Sequence, residues 1–359
     1  MSTATEARVA GVRPALPRVA GGLALGLLVL VPLLVSSNVA DMLTRVLAFA
    51  LLAIGLDLLA GVGGLPSLGQ AAPFGVGAYA AALLGKHVTT VGPVQLVAAA
   101  AAGAALAAAV GWLLVRSRGT YFLMLTLAVG EIVHELADRW EGVTGGSNGL
   151  AGVPAVTLWP GGPPVRLAGV LYWYVLAAVL VCAGALWVVS RSAFGRTLRG
   201  VRDNEERMRS LGYRTFLPKY AVFCIAGAAA GAAGSLWVSQ ARFVSPADLG
   251  FEVSAMALLA VVIGGRGSLW GAALGAAVVV LVREELSPQL GGRGPLVLGL
   301  VFVAAVYLLP RGFAGTRLPP GRRRIGPVDH PGGPPDPPDP PGDHSGGPPD
   351  PPGGKAAGP

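Results

Sequence analysis

Ten apolar stretches, most of them close to twenty residues, dictate what this chain can fold into. They lie at about 19–37, 43–62, 67–85, 93–115, 120–137, 169–189, 219–239, 252–265, 268–286 and 294–310. Blocks of that length match the roughly 30 Å hydrocarbon core of a bilayer, and they are too long for buried helices of a soluble domain. A backbone in lipid must satisfy its own polar groups, and uninterrupted apolar runs do so as helices. The short alternating segments of a transmembrane barrel are absent. The expected fold is therefore all-α, a polytopic bundle of about ten membrane segments with both termini cytoplasmic. The segment at 252–265 is too short to cross as a straight helix, so it is expected to be tilted, broken or merged with its neighbour near Gly264-Gly265.

Charge sets the orientation. Of the 27 Lys and Arg, 20 fall on the side of the N-terminus when the ten stretches are threaded, and seven on the other. By the positive-inside rule the majority side is cytoplasmic. The formal charge of +8 invites a nucleic-acid reading, but the basic residues are divided among short loops with no interleaved aromatics, which excludes it. Cys182 and Cys224 sit inside apolar stretches as packing residues, and the four histidines form no metal-ligating cluster. Neither a metal nor another cofactor is expected.

Domain organisation follows from composition. Residues 1–18 form a cytoplasmic N-terminal segment, and 19–310 the membrane domain. Within it, a Gly- and Pro-rich outer loop spans 138–168, with Trp140 and Trp159 suited to the headgroup level. From 317 to 359 runs a Pro/Gly-rich cytoplasmic tail that cannot build a core and is expected to be disordered.

The strongly charged run between two long stretches is Ser190–Lys219, with the loop proper at 190–218. It holds eight of the 27 basic residues together with Asp203, Glu205 and Glu206. Leu198, Val201, Met208 and Leu211 recur at spacings that fit one face of a short helix, punctuated by Gly195, Gly212 and Pro218. A basic cytoplasmic loop with an apolar stripe needs a cover, either the headgroup interface or another protein.

Polar residues inside the stretches mark a candidate translocation path. Gly61–Tyr79 reads GVGGLPSLGQAAPFGVGAY. Pro66 and Pro73 argue against a straight helix there, and a broken one frees backbone groups that need partners. Ser67 and Gln70 offer such partners or line a path, with Tyr79 at the end of the run. Asp57, deep in the second stretch, is the charge hardest to assign to a surface. Glu131, His134 and Glu135 share a helical face near the outer end of the fifth. HELAD lacks the second histidine of a zinc-protease motif, and there is no Walker A sequence, so the chain is expected to be neither an enzyme nor an ATP-binding subunit.

A resemblance gathers these features. Residues 64–79 (GLPSLGQAAPFGVGAY), Gly119–Phe122, Leu125–Ala128, Glu131-Ile132, Thr144–Leu150 (TGGSNGL), Ser192–Arg196 with Asp203-Asn204-Glu205, Ser245-Pro246 and Gly264–Gly271 occur in order. Together they resemble the M-type permease subunits of branched-chain amino acid ABC transporters over roughly residues 40–310. The resemblance implies a permease subunit in the bacterial inner membrane, paired with an H-type permease, two cytoplasmic ATPase subunits and an extracytoplasmic solute-binding protein. It further implies alternating access driven by ATP hydrolysis on the partners. The central loop would then carry the contact with the ATPase, at Phe194, Gly195, Arg196, Arg199, Arg202, Asp203, Glu205, Arg207, Leu211 and Gly212. The family commonly has an apolar residue at the place of Pro66, a histidine at that of Gln70 and an aromatic or small residue at that of Pro73. Those departures keep urea or a short-chain amide open as alternative cargo, beside an ion-coupled secondary transporter relying on Asp57.

Overall fold

The computed structural model describes residues 36–286, together with Gly26, Leu28, Leu30, Gly299 and Val303. The first and last expected membrane segments, the N-terminal segment and the 317–359 tail lie outside the described residues. Within them the chain is mostly helical, with a two-residue ladder joining Leu150–Ala151 to Phe243–Val244 and an isolated bridge between Val91 and Thr157.

Among the described residues five helical spans are long and apolar enough to cross a membrane: Ser37–Val62, Gly92–Leu114, Thr120–Arg139, Ala168–Arg191 and Phe216–Ala241. The first comprises α1 (Ser37–Asp57) and a π-helical turn, Leu58–Val62. The others are α3 (Gly92–Leu114), α4 (Thr120–Arg139), α6 (Ala168–Arg191) and α9 (Phe216–Ala241), numbered with the short helices that follow. The helix α2 (Ala71–His87) lies between the first two spans, and the one-turn α5 (Glu141–Thr144) follows α4. After α6 come α7 (Ala193–Asp203) and α8 (Glu205–Ser210), and after α9 come α10 (Phe251–Gly264) and α11 (Leu269–Leu281).

Burial explains the arrangement. From Val46 to Asp57 every residue of α1 is buried, as befits a helix that is apolar all round and stands at the centre of a bundle. It packs against α6, α9, α10 and α11. The second buried helix, α9, packs on α2 and α3 through small residues. A methyl group at Gly231 would collide with the Ala99 carbonyl of α3, and one at Gly77 of α2 with the Gly231 backbone. Helices without side chains at the contact approach closely, which is how bundles associate in lipid, where no hydrophobic force drives them together.

Two stretches depart from regular spans. The expected segment 67–85 is helical only from Ala71. Pro66 lies in the irregular link 63–70, and Pro73 falls in the first turn of α2, where a missing N–H costs little. The second is 252–286. Its helix α10 has 14 residues, about 21 Å at the usual rise, short of the bilayer core. It does not merge with its neighbour. Gly265 (φ 96°) and Gly267 (φ 84°) turn the chain sharply, and α11 returns along α10 as a hairpin. Left-handed φ at both positions is a conformation that glycine adopts without penalty.

The outer loop folds onto the α9–α10 connection. The Thr144 hydroxyl donates to the carbonyls of Ala137 and Trp140, and Leu150–Ala151 pairs antiparallel with Phe243–Val244. His134 of α4 meets the Pro246 carbonyl through Nδ1 at 2.8 Å, while Glu135 pairs with Arg139. The three residues expected to share a face therefore divide, and Glu131 alone stays exposed without an ion pair among the described residues.

A loop tied to a broken helix

The central charged loop is two helices, not one. Ser192 caps α7, its Oγ accepting from the Gly195 N–H. Asn204 leaves helical geometry and caps α8, its side chain accepting from the Arg207 N–H at 2.9 Å. That break at Asn204 overturns the single apolar stripe. Leu198 and Val201 are buried, and Met208 is half-buried across from Gly200. Leu211 is 65% exposed beside an exposed Tyr213. Gly212 makes the turn after α8 with φ 85°.

The expected contact residues divide into two groups. Gly195 is buried at the start of α7, Phe194 is half-buried against the hydrophobic core of the bundle, Arg199 donates to the Ser190 carbonyl, and the charged ends of Arg202 and Glu205 are tied inward. The exposed group is Arg196, Asp203, Arg207, Leu211 and Gly212, and Arg202 is exposed as well, although its guanidinium reaches inward to Gly61. Of these, Arg196 reaches the Arg191 carbonyl and Asp203 pairs with Arg202, whereas Arg207 has no ion pair among the described residues.

Glu205 is the electrostatic anchor. It accepts from Lys219 at 2.6 Å, Arg209 at 2.7 Å and Thr215 at 3.0 Å, with Arg118 at 3.5 Å. Burial alone would raise its carboxyl. The bonds from Lys219 and Thr215 and the charge of Arg118 outweigh that and hold it below the ordinary glutamate value. A depressed folded value stabilises above the unfolded value, about 4.3, and is lost as pH falls through the folded one. Limited proteolysis of the 204–215 segment should therefore be slow at neutral pH and accelerate in acid below about pH 4. Glu205→Gln should show the faster rate already at neutral pH. An unchanged rate would remove Glu205 as the anchor.

Arg202 reaches further. Its Nη1 donates to the Gly61 carbonyl at 2.5 Å, and its stem lies against Gly64. Gly61 belongs to the π turn in which the Ser37–Val62 span ends. Such turns leave carbonyls short of a helical partner and recur at functional positions. At the start of the same turn, the carboxylate of Asp57 is fully buried. Its Oδ1 accepts from the Gly267 N–H at 2.7 Å, fastening the α10–α11 turn to the end of α1. One five-residue turn thus touches the charged loop on one side and the short hairpin on the other.

The remaining path candidates lie next along the chain, all buried. Ser67 Oγ accepts from the Gly69 N–H. Two further N–H groups, one in the link and one at the start of α2, are met by side chains of other helices. Leu68 donates to Thr126 of α4 at 3.2 Å, and Ala71 donates to Ser254 of α10 at 2.8 Å. Gln70 Nε2 and Tyr79 Oη are buried without a partner among the described residues. Sequence reading missed Thr126 and Ser254 because a lone hydroxyl in an apolar helix carries no spacing signal. It missed Lys219 and Arg118 as partners of Glu205 because those contacts cross between elements. Among the described residues no group of His, Cys, Asp and Glu could hold a metal.

The family described as branched-chain amino acid transport system / permease component matches residues 38–309. The chain is 33% identical over 310 residues to the high-affinity branched-chain amino acid transport system permease protein LivM of Escherichia coli K12, covering 78% of this chain and 71% of that protein. LivM of Salmonella typhimurium LT2 gives the same identity and coverage over 306 residues. The autoinducer 2 import system permease protein LsrC of Salmonella paratyphi B is 30% identical over 150 residues, 38% of this chain and 42% of that protein. No solved structure gives a significant match. A multi-pass helical membrane protein matched along most of its length in this way belongs to the branched-chain amino acid transport permease family.

Proposed function

We propose that the chain is the permease subunit of an ATP-driven importer for branched-chain or related hydrophobic amino acids, resident in a bacterial plasma membrane. It crosses about ten times with both termini inside. It works with a second permease, two cytoplasmic ATPase subunits and an external binding protein. The relatives named for branched-chain amino acid transport support the cargo class. Exposed Tyr121, Glu131, Ile132 and Leu136 on α4 fit a helix that faces the second permease and an aqueous path. A carboxylate directed at lipid would cost several kcal/mol, roughly 3 by insertion scales.

The observation that carries the mechanism is the Arg202–Gly61 bond. The exposed rim of the loop (Arg196, Arg207, Leu211) is the surface for the ATPase. The inward face delivers its displacement to the π turn, and through Asp57 to the α10–α11 hairpin. Rigid helices joined at a single turn are suited to such rocking.

Co-purification tests the outer half. Arg207→Glu with Leu211→Asp should abolish recovery of the ATPase with the permease while membrane insertion persists. Full recovery would contradict the assignment. Calorimetry on the cognate binding protein tests the cargo: leucine, isoleucine or valine should bind, and urea or a short amide should not.

A further inference from the structure

On the loop side of the bundle, an open groove of about 540 Å³ runs between the last turn of α3 and the first of α9. Trp112, Phe216 and Tyr213 line it, with the guanidinium groups of Arg116, Arg209 and Arg214. Arg116 lies over the Trp112 ring at 4.6 Å from its centroid and makes no ion pair among the described residues, nor does Arg214. Among the described residues no carboxylate lines the groove. The nearest anchoring acid, Glu205, is already taken by Lys219, Arg209 and Thr215. Trp112, Leu113 and Leu217 are more than half exposed at the ends of two membrane-spanning helices, so the groove opens where apolar chain gives way to water.

We propose that this groove binds the headgroup of an anionic phospholipid. Arg116 and Arg214 receive the phosphate, and the exposed Trp112 and Leu217 lie along the upper acyl chains. Guanidinium groups pair with phosphate through parallel N–H donors, and aromatic rings settle at headgroup depth. A phosphodiester at the end of an acyl chain satisfies both halves of the groove, the free cations and the apolar walls. An acidic group without an apolar tail would pair with the cations but leave Trp112, Leu113 and Leu217 exposed to water. The proposal rests on α3 and α9 being membrane spans, and not on which side is cytoplasmic.

The test uses the full-length chain with the second permease in nanodiscs, without and then with the ATPase subunits. Brominated phosphatidylglycerol or brominated phosphatidylcholine is titrated over the same range of fractions, and the Trp112 signal is obtained by difference from Trp112→Phe. Phosphatidylglycerol should quench Trp112 at roughly tenfold lower fraction than phosphatidylcholine, and Arg116→Gln with Arg214→Gln should erase the preference. Arg139→Gln, on an exposed arginine at the far end of α4, should leave it intact. Circular dichroism and thermal melting establish that the double variant is folded, so a loss of preference reports the groove. Equal quenching by both lipids, or a preference that survives the double substitution, would overturn the proposal. So would its abolition in the unaltered chain when the ATPase is bound, since the groove would then be a protein contact. Failure here with ATPase recovery still dependent on Arg207 and Leu211 would leave the proposed transport function untouched.

Discussion

Replacing Arg202 with leucine should lower ATP-driven uptake by tenfold or more while the ATPase still co-purifies in full. The side chain is the direct bond between the charged loop and the π turn after α1: its stem is partly exposed, but its Nη1 reaches the Gly61 carbonyl, whereas Arg207 and Leu211 lie on α8 and the turn after it. A hydrogen bond from a charged donor contributes about 1.5–3 kcal/mol, and its loss also leaves the Gly61 carbonyl short of a partner. The larger consequence is mechanical. Without the bond, motion of the loop no longer pulls on Gly61, and nucleotide turnover proceeds without cargo. The signature is a separation of two readouts, with ATPase activity of the reconstituted complex retained and uptake lost. Arg202→Lys restores charge without the planar fork and should recover only part of the coupling. Equal loss of uptake and ATPase recovery would mean that Arg202 belongs to the outer contact. Normal uptake would mean that the bond transmits nothing.

How much of this was legible in the sequence depends on the range of the interaction. Membrane helices announce themselves through local apolarity. The expected 93–115, 120–137, 169–189 and 219–239 appear as Gly92–Leu114, Thr120–Arg139, Ala168–Arg191 and Phe216–Ala241, within three residues at each end. The irregular link before α2 was visible too, because Pro66 and the surrounding glycines are local signals. The break at Asn204 was not read. One apolar spacing ran across it, although an Asn followed by two glutamates is a helix start in its own right. Contacts between elements distant in sequence left no trace. Nothing in the order of residues joins Arg202 to Gly61, Asp57 to Gly267, or Lys219 to Glu205; these pairs exist because the bundle closes. Asp57 shows the difference most plainly. As a sequence feature it was a lone intramembrane charge and the one support for an ion-coupled mechanism. In the folded chain it accepts a backbone bond at a tight turn.

That contact gives substitutions at Asp57 opposite expectations under the two mechanisms. If the carboxylate serves to hold the Gly265–Ser268 turn, one oxygen accepting from the Gly267 N–H is what matters. Asp57→Asn keeps such an acceptor and should retain most of the uptake. Asp57→Leu fills similar volume but removes the acceptor and strands a buried N–H. It should destabilise the protein by about 1–3 kcal/mol, seen as a lower melting temperature in detergent and a severe loss of transport. An ion-coupled carrier predicts the reverse for asparagine, because a group that cannot ionise cannot carry or balance a coupled cation, and uptake would vanish in a folded protein. Collapsing the proton gradient with ATP held constant separates the two again: an ATP-driven permease continues and an ion-coupled one stops. Uptake that survives Asp57→Asn and dissipation of the gradient, yet fails with Asp57→Leu, assigns the carboxylate to the turn. Abolition by asparagine with an unchanged melting temperature would place a titrating group at the end of α1 and reopen the ion-coupled mechanism.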